Sequence, residues 1–397
     1  MSKKTKTSDD LQGLTRLVTD ATVGVTELVE AMHHRIVHPP FMPSTPIQHL
    51  ISKASGIIYK TIKWSTKFVG NGLDKALGRL APVLGEVKDT NEKKAIRSAL
   101  NGVVGDYLEE KENPLKITMQ LTHQGKPLSV DNKSLAEIPN INGKILLMVH
   151  GICMNDTQWT HKKHNHGEAL AEELDKTLLY LYYNSGRHIS TNGQSLNELL
   201  EDLILNWSVP VEELVIVGHS MGGLVSRSAL YYGQQQQKTW TKYLKKMVFL
   251  GTPHHGAPLE RAGNYVDNIL ELIPYAKPFA RLGKIRSAGV TDLRYSSLID
   301  EDWQGIDRFE MRKDSRQNIP LPEQIECYSI AASKGKETDF LSLGDGLVEV
   351  KSALGLHEDL AKQLHFKKEN TWIAYEHTHF SLLSNLEVYT KIKEWLV

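Results

Sequence analysis

The sequence predicts an α/β fold: a mostly parallel sheet flanked by helices, with a helical cap insertion and an N-terminal helical region. Three observations predict it. After residue 114, short apolar runs alternate with helical patterns, the rhythm of parallel strands joined by helices. Several of those runs are apolar without interruption, as strands buried on both faces are. Before residue 114, apolar residues recur only at helical spacing.

The elements follow in order. Leu14, Leu17, Val18, Ala21, Val25, Leu28, Val29, Met32 and Ile36 repeat at helical spacing. "HPPFMPSTP" (38–46) ends that pattern, because proline cannot continue a helix and restricts the residue before it. A second pattern runs from Ile47 to about Leu84. Ile47, Leu50, Ile51, Ala54, Ile58, Ile62 and Val69 share one face, with Lys53, Lys60, Lys63 and Lys67 opposite. Gly70, Gly72 and Gly78 predict a kink there. "EKENP" (110–114) closes a third helical pattern. "LKITMQLTHQGKPLSV" then reads as a hairpin turning near Gly125. Strands are predicted at "KILLMV" (144–149), "TLLYLYY" (177–183), "ELVIVG" (213–218), "KKMVFLG" (245–251), "IECYSIAA" (325–332) and "TWIAY" (371–375). Helices are predicted at "GEALAEELDK" (167–176), "LNELLEDLILNW" (196–207), "GLVSRSALYYG" (223–233) and "SLLSNLEVYTKIKEWL" (381–396). Two units result, a helical region over 1–114 and an α/β domain over 115–397. Within the second, residues 257–320 break the rhythm and read as a cap over the sheet's C-terminal edge.

Composition narrows the function classes. The chain has 397 residues, 40% of them apolar and 24% charged, as a soluble globular protein does. Basic and acidic residues both number 47, so no net field favours nucleic acid. Two cysteines, Cys153 and Cys327, fall in different elements and make no disulfide framework. "MSKKTKTSDD" has the charges of a signal peptide without the apolar run, and no stretch of about 18 apolar residues appears. A cytoplasmic setting is expected. The basic second pattern, with six Lys or Arg against Asp74 between Ile47 and Leu80, fits either an anionic membrane surface or solvent. In the favoured reading its apolar stripe packs on the α/β domain or on another copy.

The stretch "LVIVGHSMGG" (214–223) carries the chemistry. Gly218-His219-Ser220-Met221-Gly222 matches G-x-S-x-G between a predicted strand and a predicted helix. Such a turn lifts a serine hydroxyl into the open. Side chains two residues away on either side would collide with neighbouring backbone, so glycine stands at both places. The following helix aims its N-terminus, and its partial positive charge, at the hydroxyl. The plain alternative is a glycine-rich structural turn.

Five segments extend this signal: "LLMVHG" (146–151), "VGHSMGG" (217–223), "FLGTPHHGAP" (249–258), "GDGLV" (344–348) and "HFSLL" (379–383). Over about 115–397 the chain resembles the α/β-hydrolase superfamily in its lipase/esterase branch. It looks most like bacterial proteins with a GPI inositol-deacylase-like hydrolase domain. The resemblance implies a Ser-acid-His triad and hydrolysis of carboxylic esters through an acyl-enzyme. It makes Ser220 the nucleophile, Asp345 the acid and His379 the base. An ordinary Asp-Gly turn, Glu349 and His377 are the alternatives at those positions. It implies an oxyanion hole from the N–H of Met221 and of Ile152, with Cys153 next in line. Gly151, Cys153, His219, Pro253 and His254 are expected to line the substrate. A Cys153 nucleophile lacks the elbow. Metal ligation by His254 and His255 with His161, His164 and His166 lacks a convincing spacing. No cofactor is required, and an acyl ester or lipid is the implied substrate. A thioesterase, an amidase and a non-catalytic scaffold on the same fold are the competing functions.

Overall fold

The structure, a computed structural model, describes residues 91–257, 269–270, 286–308, 313–337 and 344–397. The first two helical patterns and parts of the expected cap lie outside the described residues.

Each apolar run predicted as a strand forms one. The strands are β1 (Gln120–His123), β2 (Lys126–Leu128), β3 (Lys144–Val149), β4 (Thr177–Tyr182), β5 (Glu213–His219), β6 (Leu244–Leu250), β7 (Glu326–Ser333) and β8 (Thr371–Tyr375). They form one sheet in the order β2-β1-β4-β3-β5-β6-β7-β8. β3 to β8 are parallel, and the β1–β2 hairpin is antiparallel at one edge. β3 and β5 are buried from their second residue to their last, which explains their unbroken apolar runs. From β3 the chain steps outward to β4, then returns to set β5 on the other side of β3. Connections diverge there, so a crevice opens at the C-terminal ends of β3 and β5, where open parallel sheets bind ligands.

The helices are α1 (Asn91–Glu110), α2 (Asn132–Ala136), α3 (His166–Leu174), α4 (Ile189–Asn206), α5 (Met221–Gln235), α6 (Ala288–Asp292), α7 (Val350–Ala353) and α8 (Leu386–Leu396). α4 packs along α5. It begins at Ile189 rather than Leu196, because a cap from far along the chain supplies its start. Asp292 Oδ2 accepts the Ile189 N–H at 2.8 Å. The predicted final helix is two pieces. A short 3-10 turn (Ser381–Leu383) ends, and Asn385 caps α8 by accepting the N–H groups of Glu387 and Val388.

Two regions differ from the expected layout, one at the division at residue 114 and one in the cap. α1 is helical as predicted, but it does not stand apart. Ile96, Ala99, Leu100, Val103, Val104 and Leu108 are buried in the same core as the sheet. Within the expected cap, residues 286–303 are stitched into the body. Val290, Leu293, Leu298 and Ile299 are buried, and the polar residues among them are bonded inward. Ser287 Oγ donates to Gly102 O at 2.6 Å, and Trp303 Nε1 donates to Ser190 Oγ at 2.9 Å.

Candidate active site

Ser220 sits between β5 and α5 with φ 54° and ψ −125°, a conformation that costs a non-glycine residue about 1–3 kcal/mol. Its neighbours hold it there. The Ser220 N–H donates to Leu250 O at 2.8 Å, and its carbonyl accepts from Gly223 N at 3.1 Å. A Cβ on Gly218 would lie 2.6 Å from the Gly223 backbone, and one on Gly222 would overlap the carbonyl of Val149 and come 2.6 Å from that of His150. The glycines are therefore required by the close approach of α5 to the ends of β3 and β5.

The imidazole of His379 meets the same place. A Cβ on Gly251, the residue after Leu250, would lie 3.1 Å from His379 Nδ1. His379 Nδ1 is 2.6 Å from Asp345 Oδ2, and its backbone N–H donates to Asp345 O at 3.2 Å. Asp345 Oδ1 accepts the N–H groups of Leu347 and Val348, each at 2.8 Å. Both carboxylate oxygens are thus engaged, which orients Oδ2 toward the ring. With the carboxylate as acceptor, Nδ1 carries the proton and Nε2 presents its lone pair. That Nε2 is buried and has no hydrogen-bond partner. Ser220, Asp345 and His379 are each 2% exposed. His377 lies two residues away, yet its N–H and ring are bonded to the backbone of Ser333 and Tyr375 at the ends of β7 and β8. Glu349 is exposed at the start of α7.

The loop after β3 completes the crevice. A Cβ on Gly151 would lie 3.0 Å from Ser220 Cβ, so this backbone runs directly against the serine. Met221 is the first residue of α5, where an N–H has no partner within the helix. The Cys153 N–H is already donated to Ser185 Oγ at 3.0 Å. His219, between Gly218 and Ser220, is fully buried. Its Nε2 lies 3.2 Å from His379 O and its ring centroid 4.6 Å from that of His379. Burial holds its pKa well below the usual histidine value, so the ring is neutral and donates to that carbonyl.

Strand order, elbow and loop together describe one architecture, and the family comparison agrees with it. Residues 140–321 match the family model of the PGAP1-like alpha/beta domain. Over that segment, a little under half of its length, the chain is similar to this α/β domain family. No curated protein matches it. Among solved structures, the mature lipase BlEst2 of Bacillus licheniformis is 16% identical, with a TM-score of 0.43 over 70% of this chain and 98% of that one. The esterase Pf2001 of Pyrococcus furiosus is 15% identical, with a TM-score of 0.39 over 65% and 82%. The type II thioesterase YbtT of a yersiniabactin pathway is 16% identical, with a TM-score of 0.40 over 64% and 92%.

The remaining expected positions have other partners. Cys153 is held at φ 61°, and its sulfur faces α1, where a Cβ on Gly102 would overlap it. Burial pushes its thiol pKa well up, which removes the thiolate a nucleophile needs. The Pro253 carbonyl accepts from Ser296 Oγ. His254 packs edge-on to Phe249, with Arg227 Nη1 3.2 Å from its Nδ1. His164 Nε2 lies 2.8 Å from His166 Nδ1, and His166 Nε2 lies 2.9 Å from Leu382 O, so these rings tie α3 to the turn after His379. Among the described residues, no group of three or more His, Cys, Asp or Glu is placed to hold a metal ion. No described helix is long and apolar enough to cross a membrane. Sequence reading missed Ser185, which fixes the loop at Cys153. Nothing in a lone serine after a strand marks such a role.

Proposed function

We propose that this chain is a serine carboxylic-ester hydrolase. The observation that carries the reading is the Asp345–His379 pair, whose buried Nε2 lacks a partner at the strand end that also holds Ser220. Ser220 Oγ attacks the ester carbonyl while His379 Nε2 takes its proton. Asp345 keeps Nδ1 protonated and stabilises the imidazolium. The N–H groups of Met221 and Ile152 receive the oxyanion. His379 returns the proton to the departing alcohol, leaving an acyl-enzyme. Water then attacks with His379 as base, and the acid is released. This chemistry requires no metal or organic cofactor. Acyl esters, lipids among them, are the substrate class. The test is hydrolysis of p-nitrophenyl esters from short to long acyl chains by the parent and by Ser220→Ala. Parental turnover that vanishes in the variant supports the reading; equal turnover in both refutes it.

A further inference from the structure

We propose that Lys94, on α1, is a positioning residue for the oxyanion loop, acting through a buried ion pair with Asp156. The proposal rests on the hydrolase reading above and deepens it. α1 lies wholly before the segment that matches the family model. Yet it touches the same loop that touches the serine. That loop runs from Gly151, beside Ser220, through Cys153 to Asp156. At Cys153 it is pressed on α1 so closely that a Cβ on Gly102 would lie 2.8 Å from the Cys153 Cα and 2.9 Å from its N. At Asp156 it is pinned by charge. Lys94 Nζ is 2.6 Å from Asp156 Oδ1 and 2.7 Å from Oδ2, and Thr122 Oγ1 of β1 donates to Oδ2 at 2.6 Å. Lys94 also stands 4.7 Å above the Tyr182 ring. Lys94 is 7% exposed and Asp156 is 3% exposed, so water screens the pair little.

The physical consequence concerns donor placement. An oxyanion hole works because its N–H groups are fixed before charge develops. Ile152 lies in a strip of backbone with few internal restraints; Met154 N to Gly151 O, at 3.3 Å, is one of them. The strip takes its position from outside: Ser185 at Cys153, Gly102 at Cys153, and the Lys94–Asp156 pair beyond. α1 is itself anchored, since Ser287 Oγ donates to Gly102 O and Asp106 Oδ2 accepts the Ala288 N–H at 3.0 Å. Removing the lysine charge leaves a buried carboxylate without its cation. Asp156 then relaxes toward water and takes the loop with it. Substrate binding is affected less than stabilisation of the transition state.

The experiment uses the full chain with Lys94→Met, Lys94→Arg and Thr122→Val. Active sites are first titrated to completion with a fluorophosphonate, so that rates are expressed per competent site rather than per protein. Expected for Lys94→Met is a fall in kcat of about 10²-fold, with KM within about threefold of the parent. Lys94→Arg restores most of the loss. Thr122→Val, which strands no charge, lowers kcat by about threefold to tenfold and serves if Lys94→Met does not fold. A parental kcat per titrated site in Lys94→Met, or in Thr122→Val where only that variant folds, overturns the proposal while the hydrolase reading stands. A parent that is neither labelled at Ser220 nor able to cleave esters overturns both.

Discussion

Among the described residues two His–Asp side-chain pairs lie within hydrogen-bond distance, and they are built differently. In the first, His379 Nδ1 meets Asp345 Oδ2 at 2.6 Å, Asp345 is held by two further N–H groups, and His379 Nε2 is left unpartnered beside the elbow. In the second, His188 Nδ1 lies 3.0 and 3.1 Å from the two oxygens of Asp292. There the ring stacks on Trp303 at 3.6 Å, and the carboxylate is spent on capping α4 at Ile189. Burial raises the pKa of Asp292, and the one positive-φ serine near it in the chain, Ser296, has its hydroxyl donated to the Pro253 carbonyl. On the proposed mechanism, the same two residue types serve as catalyst in one place and as rivet in the other. What separates them is the third partner and the backbone that delivers it, not the pair itself.

The comparison can be broken most forcefully at the serine. Ser220→Ala is expected to lower ester turnover by about 10⁴-fold or more with an unchanged circular-dichroism spectrum. Asp345→Asn should follow, at about 10³–10⁴-fold in kcat, because an amide no longer holds Nδ1 as the protonated nitrogen. The matching change in the other pair, Asp292→Asn, should leave kcat within about threefold. It should lower stability by about 1–3 kcal/mol in urea titration, through the weakened cap and its neighbours. Catalytic loss as large as that of Asp345→Asn would show that the two pairs are not separable in this way.

A smaller effect sharpens the electrostatic side. Burial lowers the pKa of His150, at the head of the oxyanion loop, from 6.5 to about 4, and that of His166 also to about 4. In each case the unfolded chain takes up a proton that the folded chain refuses. Their contribution is therefore fully present above about pH 6.5 and is lost as pH falls toward 4. For His150 alone this is on the order of 3 kcal/mol. The thermal midpoint should fall steadily between pH 6.5 and 4.5, and His150→Gln should flatten that slope. A midpoint that rises over this interval would contradict the assignment.

Much of the fold was legible because its signals are local. Unbroken apolar runs marked the inner strands, and Gly218 and Gly222 marked a turn that leaves no space for side chains. His379 and Asp345 were preferred to His377 and Glu349 because the resemblance implies them, through "HFSLL" and "GDGLV". What could not be read depends on contacts between distant positions. Helical spacing in α1 shows an apolar face but not what covers it, so the boundary at residue 114 divided a helix from its own core. Residues 286–303 read as part of a cap over the sheet edge, yet Ser287, Asp292 and Asp302 are bonded into the body. The start of α4 was invisible because its cap, Asp292, lies far along the chain. Lys94 and Asp156 carried no mark, because each stands among other polar residues in the sequence and only the fold buries them together.

The most direct test of the central claim is to treat the folded parent with a fluorophosphonate and locate the adduct by peptide mass spectrometry. The account predicts one adduct, on Ser220, absent after denaturation of the protein and strongly slowed in His379→Ala. No adduct on Ser220 in folded protein, or labelling unaffected by loss of His379, would contradict it.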